Sequence, residues 1–349
     1  MVGIQSMTAL LALRNYRGLP QAGSPIPGFS ERVSIVVPAR NEAKRLPTLL
    51  ESLRHLAPEP LEVIVADDSS TDRTREIATS FGCKLVDVGP LPAGWTGKCR
   101  ACHLGALEAK GDWLLFTDAD TIHEPACLEA ALSIGLSMNA GLTSLLARQV
   151  CSTVWERLLL PYAYAGYFAA AWAPNRPGGR AIANGQYMLF RRSAYWKVGG
   201  HGSVRNSLIE DVAIARTMRD RGETVVLCRG ETVLRVRMYE DLRSLWEGFS
   251  KNVFRFVLAF PLAGTVTALS GVAIASALPA ALRSPRGLLP LALIAAPAAG
   301  LTPWLHLFRV PLRYALLHPV SATIFQVLAF DSVRRTLLSG QTVWRGRRY

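Results

Sequence analysis

The chain has 349 residues, half of them hydrophobic, a length that accommodates two domains. Lys and Arg outnumber Asp and Glu 39 to 26, for a formal charge of +13. Such an excess suits nucleic acid, anionic lipid or a phosphorylated substrate. No compact Lys/Arg run interleaved with aromatics occurs, which argues against nucleic acid as a partner.

Met1 to Leu13 is mildly apolar, too short to span a bilayer, and followed by Arg14 and Arg17. That pattern fits an interfacial anchor or the remnant of a longer hydrophobic segment. Residues 18–30 are rich in Gly and Pro and read as a linker. Val33 to Val37, ended by Pro38, suits a buried parallel strand. Leu46, Leu49, Leu50 and Leu53 then recur at helical spacing. A second strand, Leu61 to Ala66, stops in Asp67-Asp68-Ser69-Ser70-Thr71-Asp72, and a helix over Arg73 to Phe81 is expected, capped by Ser70, Thr71 or Asp72. Lys84 to Val88 reads as a third strand and Cys99 to Ala109 as a helix. Trp113-Leu114-Leu115-Phe116 is a buried-looking strand that stops in Thr117-Asp118-Ala119-Asp120. Strand and helix alternate four times, which predicts an α/β domain with a mostly parallel, doubly wound sheet.

Two strands thus end in carboxylates. Open α/β sheets bind ligands at that edge, and hard divalent cations take one or two carboxylates plus substrate phosphates. A strand-end turn or helix cap is the simpler reading of either cluster alone. No glycine-rich phosphate loop or dinucleotide fingerprint occurs, which disfavours P-loop and dinucleotide enzymes. Six cysteines are scattered; Cys99-Arg100-Ala101-Cys102-His103 matches a c-type haem attachment pattern, but no cleavable leader is evident and the pair reads as ordinary thiols.

Trp155 to Ala173 is nearly uncharged and aromatic-rich, as a helix on a membrane surface or in a core would be. Asn184 to Phe190 resumes a strand, Gly199-Gly200-His201 reads as a turn, and Glu210-Asp211 opens an amphipathic helix. Acidic residues there commonly partner the helix dipole. Val257 to Leu282, Leu288 to Phe308 and Tyr314 to Phe330 each have the length of a transmembrane helix. The basic residues Arg334, Arg335, Arg345, Arg347 and Arg348 flank them; three spans after a cytosolic domain put this tail outside, so either one segment is re-entrant or interfacial and the tail is cytosolic, or the tail breaks the positive-inside tendency.

The ordered set Pro38-Ala39-Arg40-Asn41-Glu42, Asp67-Asp68, Asp118-Ala119-Asp120 and Glu210-Asp211 resembles the family 2 glycosyltransferases of GT-A fold. Gly94-Trp95-Thr96-Gly97-Lys98, Asn184 to Arg192, Gly199-Gly200-His201 and the tail from Trp344 resemble a narrower group, the membrane glycosyltransferases of carotenoid and hopanoid lipids, diaponeurosporenoate type included. The resemblance implies a GT-A domain over 31–250, a short segment and linker over 1–30, about three apolar helices over 251–333, and a basic tail over 334–349.

It further implies inverting transfer of a hexose, glucose first, from a UDP-sugar to a carotenoid or hopanoid lipid. Polyprenyl phosphate, a glycerolipid or a sphingolipid are alternative acceptors, and a non-catalytic nucleotide-sugar-binding membrane protein is the alternative of another class. Pro38, Ala39, Glu42 and Asp68 would hold the nucleoside, and Asp118 the nucleotide. Asp120, with Asp118, would ligate Mg²⁺ or Mn²⁺, Lys98 and Arg255 would face the diphosphate, and Asp211 would be the catalytic base. Where processive relatives carry Gln-x-x-Arg-Trp, this chain has Ser250 to Phe256, which implies single-sugar transfer. The implied setting is the cell (inner) membrane, multi-pass, with the catalytic domain cytosolic.

Overall fold

The computed structural model describes residues 2–23, 30–170, 173–176, 178–259, 261–276, 279, 283, 288–337, 343–344 and 347–348. They form two compact units, one of residues 19–148 and 173–236, the other of 1–18, 149–172 and 237–349.

The first unit is built on a seven-stranded sheet of order β3-β2-β1-β4-β8-β6-β9. The strands are β1 (Val33–Ala39), β2 (Glu62–Asp67), β3 (Lys84–Asp87), β4 (Trp113–Thr117), β6 (Leu142–Leu146), β8 (Tyr187–Arg191) and β9 (Val225–Arg229). β3, β2, β1 and β4 run parallel, as the alternating pattern predicts. β8 breaks the parallel expectation: it inserts antiparallel beside β4, pairing Tyr187 with Thr117, and also antiparallel to β6. The sheet is therefore mixed and mostly parallel. A second sheet, order β5-β10-β7, comprises β5 (Thr121–His123), β7 (Arg148–Gln149) and β10 (Leu234–Val236).

Helix α2 (Leu46–Arg54) buries the four leucines whose spacing predicted it. Beyond α3 (Thr74–Ser80), helix α4 (Gly97–Glu108) lies so close to β1 that a methyl at Gly105 would collide with Val36 Cγ1. The close approach leaves room only for glycine. Helices α5 (Cys127–Ser137), α7 (Arg192–Lys197) and α8 (Glu210–Asp220) complete the unit. Val36, Ile64, Leu114, Phe116, Phe190, Tyr195 and Ile214 share one core, and Phe116 stacks on Tyr195 at 5.3 Å.

The second unit gathers α1 (Val2–Arg17), α6 (Val154–Ala170), α9 (Leu242–Ala259), α10 (Pro261–Ala275), α11 (Leu288–Leu307) and α12 (His318–Leu337). Tyr16, Phe168 and Trp304 form an aromatic knot, with the Phe168 and Trp304 rings 5.8 Å apart and stacked. Asp331 joins α12 to α9 by accepting from Trp246 Nε1 at 2.9 Å and Ser250 Oγ at 3.2 Å. Among the described residues one helical run, Leu312–Leu337, is long and apolar enough to cross a membrane. Part of the first apolar segment read from sequence, part of the linker and half of the basic tail lie outside the described residues.

Candidate active site

Because β1, β2 and β4 are parallel, Ala39, Asp67 and Thr117 finish at one edge of the sheet; the β1–β2 register sets Ala39 opposite Asp67. The antiparallel β8 starts at that edge, so Asn184-Gly185-Gln186 arrive there too. Four stretches singled out in the sequence therefore meet on one rim.

The loops after β1 and β2 are laced together. Asn41, at φ 53°, accepts from Thr71 N at 2.8 Å, its own N–H donates to Ser70 Oγ at 2.9 Å, and Ala43 N donates to Asp72 Oδ2 at 3.0 Å. Glu42 N donates to Thr74 Oγ1 at 2.8 Å. Helix α3 starts at Thr74, and Asp72 serves its N-terminus: Oδ1 accepts from Thr74 N at 3.0 Å, while Oδ2 takes the bond from Ala43. The hydroxyls of Ser70 and Thr71 bond to Asn41 of the neighbouring loop instead. Asp68 is buried; Arg40 Nη1 donates to its carbonyl at 2.8 Å and stands 3.9 Å from its carboxylate. Asp67 is fully buried and paired with Arg75 at 3.3 Å.

Lys98 is the hub. Helix α4 opens with Thr96 as N-cap, its hydroxyl accepting from Cys99 N, and this sets Lys98 in the first turn facing the rim. Lys98 Nζ lies 2.8 Å from Asp118 Oδ1, 3.1 Å from Asp118 Oδ2 and 2.8 Å from Glu210 Oε1. Burial works against the ammonium, but Asp118 and Glu210 outweigh it and hold Lys98 well above the usual lysine range. The lysine thus ties the Asp-x-Asp turn to the start of α8. Glu210 is an ion-pair partner as well as a first-turn acid, which no local spacing announces.

Asp211 adjoins this bridge. Its Oδ2 accepts from Gly185 N at 3.0 Å and its Oδ1 from Val212 N at 2.8 Å. Burial pushes the Asp211 carboxyl up, and the like charge of Glu210 adds to the rise; Lys98 and the two N–H groups pull it back, leaving it at about 6. A carboxylate so placed exchanges protons near neutrality. Gly185 sits in a tight space: a methyl there would lie 3.1 Å from Lys98 Nζ, 3.2 Å from Glu210 Oε1 and 3.4 Å from Asp211 Oδ2.

Asp118 and Asp120 are half-buried at the turn between β4 and β5. Among the described residues no group of three or more His, Cys, Asp or Glu forms a metal cage. The two carboxylates nevertheless fit a hard divalent cation that draws its remaining ligands from substrate phosphate and water. The Lys98 ammonium already places positive charge on Asp118.

Lys98, Asp118 and Asp211 therefore converge, with Glu210 and Gly185 as members that sequence reasoning gave no role. Pro38, Ala39, Glu42 and Asp68 line the β1–β2 part of the rim, and Asp120 closes the turn. Arg255 lies on the backbone of α9, but its side chain falls outside the described residues. Cys99 and Cys102 are buried thiols, and Cys99 Sγ lies 3.5 Å from the Val204 carbonyl.

A mixed, mostly parallel sheet with two acidic strand ends and an acidic helix start on one rim is a GT-A-like fold. The solved mannosyltransferase PcManGT from Pyrobaculum calidifontis, in complex with GDP-Man and Mn²⁺, shares it with a TM-score of 0.61 at 19% identity, over 97% of this chain and 95% of that one. Residues 34–199 match Glycosyl transferase family 2. The 4,4'-diaponeurosporenoate glycosyltransferase of Staphylococcus haemolyticus (strain JCSC1435) is 30% identical over 265 residues, 70% of each chain. That of Staphylococcus aureus (strain USA300) is 27% identical over 337 residues, 91% of this chain and 88% of the relative. The chain belongs to glycosyltransferase family 2, within which it resembles the carotenoid glycosyltransferases.

Proposed function

We propose that this protein is an inverting, metal-dependent hexosyltransferase that moves one sugar, glucose first, from a UDP-sugar to a carotenoid- or hopanoid-type membrane lipid. The observation that carries the reading is the Lys98 bridge: one ammonium holds Asp118 of the Asp-x-Asp turn and Glu210 beside Asp211. It sets a nucleotide-diphosphate end and a proton-accepting end a few ångströms apart.

Pro38, Ala39, Glu42 and Asp68 would cradle the uridine, and Asp118 would contact the nucleotide. Asp120, with Asp118, would hold Mg²⁺ or Mn²⁺, which when bound neutralises charge gathering on the leaving diphosphate. Mn²⁺ accompanies GDP-Man in the solved mannosyltransferase, which supports the pairing of metal and nucleotide sugar here. Lys98 adds positive charge on the same side. Asp211 Oδ takes the acceptor's hydroxyl proton as that oxygen attacks the anomeric carbon. The bond to the diphosphate breaks on the opposite face, and its electron pair leaves with the diphosphate. One base and in-line attack give inversion.

A lipid acceptor is supported by the names of the relatives and by the second unit's exposed apolar side chains, among them Leu258, Leu269, Val272, Leu316 and Phe330. We place residues 251–333 of that unit in the cell membrane, multi-pass, with residues 31–250 as the cytosolic catalytic domain. The test is Asp211→Asn. It should retain UDP binding with Mn²⁺ yet lose transfer from a labelled UDP-hexose; near wild-type transfer would remove Asp211 from the role of base.

A further inference from the structure

Behind the Asp-x-Asp turn lies a buried polar cluster that the reaction scheme leaves unused. Thr117, Thr121 and His123 are 0, 1 and 3% exposed. Thr117 Oγ1 is 2.9 Å from the Gln186 carbonyl, 2.9 Å from Thr121 Oγ1 and 3.0 Å from His123 Nε2. Thr121 Oγ1 is 2.8 Å from the Asp118 carbonyl and 3.1 Å from the same His123 nitrogen.

The hydrogens can be counted. A carbonyl only accepts, and each threonine hydroxyl has one hydrogen. Thr117 donates to Gln186 O, and Thr121 donates to Asp118 O. With the hydroxyls so turned, both oxygens accept, and the one other polar atom within reach, His123 Nε2, supplies a hydrogen shared between the two threonines. His123 Nδ1 has no hydrogen-bond partner among the described residues, as a bare ring nitrogen would not. Burial lowers the affinity of this imidazole for a second proton to about 3, so it stays neutral.

The two carbonyls so joined belong to the two halves of the site. Asp118 O is the backbone of the Asp-x-Asp turn. Gln186 follows Gly185, whose N–H holds Asp211. We propose that Thr117, Thr121 and His123 form an uncharged clamp, ordered by the Nε2–H tautomer of His123, that fixes the spacing between the Asp-x-Asp turn and the Gly185–Gln186 loop that holds Asp211. His123 is then a positioning residue for transfer. Lys98 joins the same halves by charge; the clamp joins them through neutral hydrogen bonds. The assignment rests on the reading of Asp211 as base; the tautomer does not, so the two can fail separately.

The test uses the full-length protein. Thr117→Val keeps the shape and removes the hydroxyl. It should lower kcat by on the order of tenfold to a hundredfold, the usual cost of misplacing reacting groups by about an ångström. UDP affinity with Mn²⁺ and the donor KM should stay within about twofold, as positioning of the base demands. Thr117→Ser should restore kcat. If Thr117→Val does not fold, Thr121→Val, which removes the hydroxyl bond to the Asp118 carbonyl, should give the same split. Nitrogen NMR of ¹⁵N-histidine-labelled protein, assigned with His123→Phe, should show Nε2 protonated and Nδ1 bare from pH 5 to 8. Wild-type kcat in a folded valine variant, loss of UDP affinity in step with kcat, or an Nδ1–H or doubly protonated His123 would each overturn the proposal.

Discussion

Replacing Lys98 with methionine keeps the stem of the side chain and removes the charge that lowers the proton affinity of Asp211. A methyl placed at Gly185 would lie 3.1 Å from Lys98 Nζ and 3.4 Å from Asp211 Oδ2. Laid end to end, those distances put the two groups at most about 6.5 Å apart. At an effective dielectric near 20 their attraction is then about 2.5 kcal/mol, or about two pK units. The Lys98 side chain is 33% exposed, and solvent screening cuts the effect to about one unit. Asp211 sits at about 6, and a base must be ionised to act. Activity therefore rises with pH through that value and is lost below it. In Lys98→Met the rising limb should move up by about one pH unit. In Glu210→Gln, where a like charge is removed, it should move down. The assay is kcat/KM for the nucleotide sugar from pH 5 to 9, which reports groups of the free enzyme. Limbs that stay put, or that move in the same direction in both variants, would refute the electrostatic account of Asp211.

Asp120→Ala should abolish Mn²⁺-dependent UDP binding in calorimetry, and an unchanged Mn²⁺ titration would take Asp120 out of the metal site. Gly185→Ala should fold but lose most transfer, because its methyl crowds Lys98, Glu210 and Asp211; overpacking of this kind costs about 1–3 kcal/mol, visible as a lower Tm. Wild-type activity in that variant would show that the rim has slack which the close distances deny.

The features legible in the sequence were those set by local periodicity. Leu46, Leu49, Leu50 and Leu53 are one turn or so apart, and all four are buried. The apolar runs ending in Asp67 and Thr117 are neighbouring strand ends on either side of β1 because parallel strands in one sheet finish at one edge. What local pattern does not encode is direction and distant pairing. Tyr187 to Arg191 reads as a strand, but nothing in those residues says that it runs antiparallel to Trp113 to Thr117. Ser70, Thr71 and Asp72 are residue types that cap helices; Asp72 does so with Oδ1, yet the Ser70 and Thr71 hydroxyls serve Asn41, a partner set by tertiary contact. Glu210 looked like a dipole partner until Lys98 was found 2.8 Å away. The hydrogens of the Thr117–Thr121–His123 cluster could be ordered only once Gln186 was seen at its other end. Segments 149–172 and 237–349 pack in one unit with the N-terminal helix, a grouping that sequence order alone cannot reveal.

The most direct measurement incubates membranes holding the full-length protein with Mn²⁺ and labelled UDP-glucose, then identifies the labelled lipid by mass spectrometry. The account predicts a single hexose on a carotenoid- or hopanoid-type lipid, formed by the wild-type chain and absent with Asp211→Asn. Label that stays entirely in UDP-glucose or its hydrolysis products, or that enters lipid equally with Asp211→Asn, would contradict it.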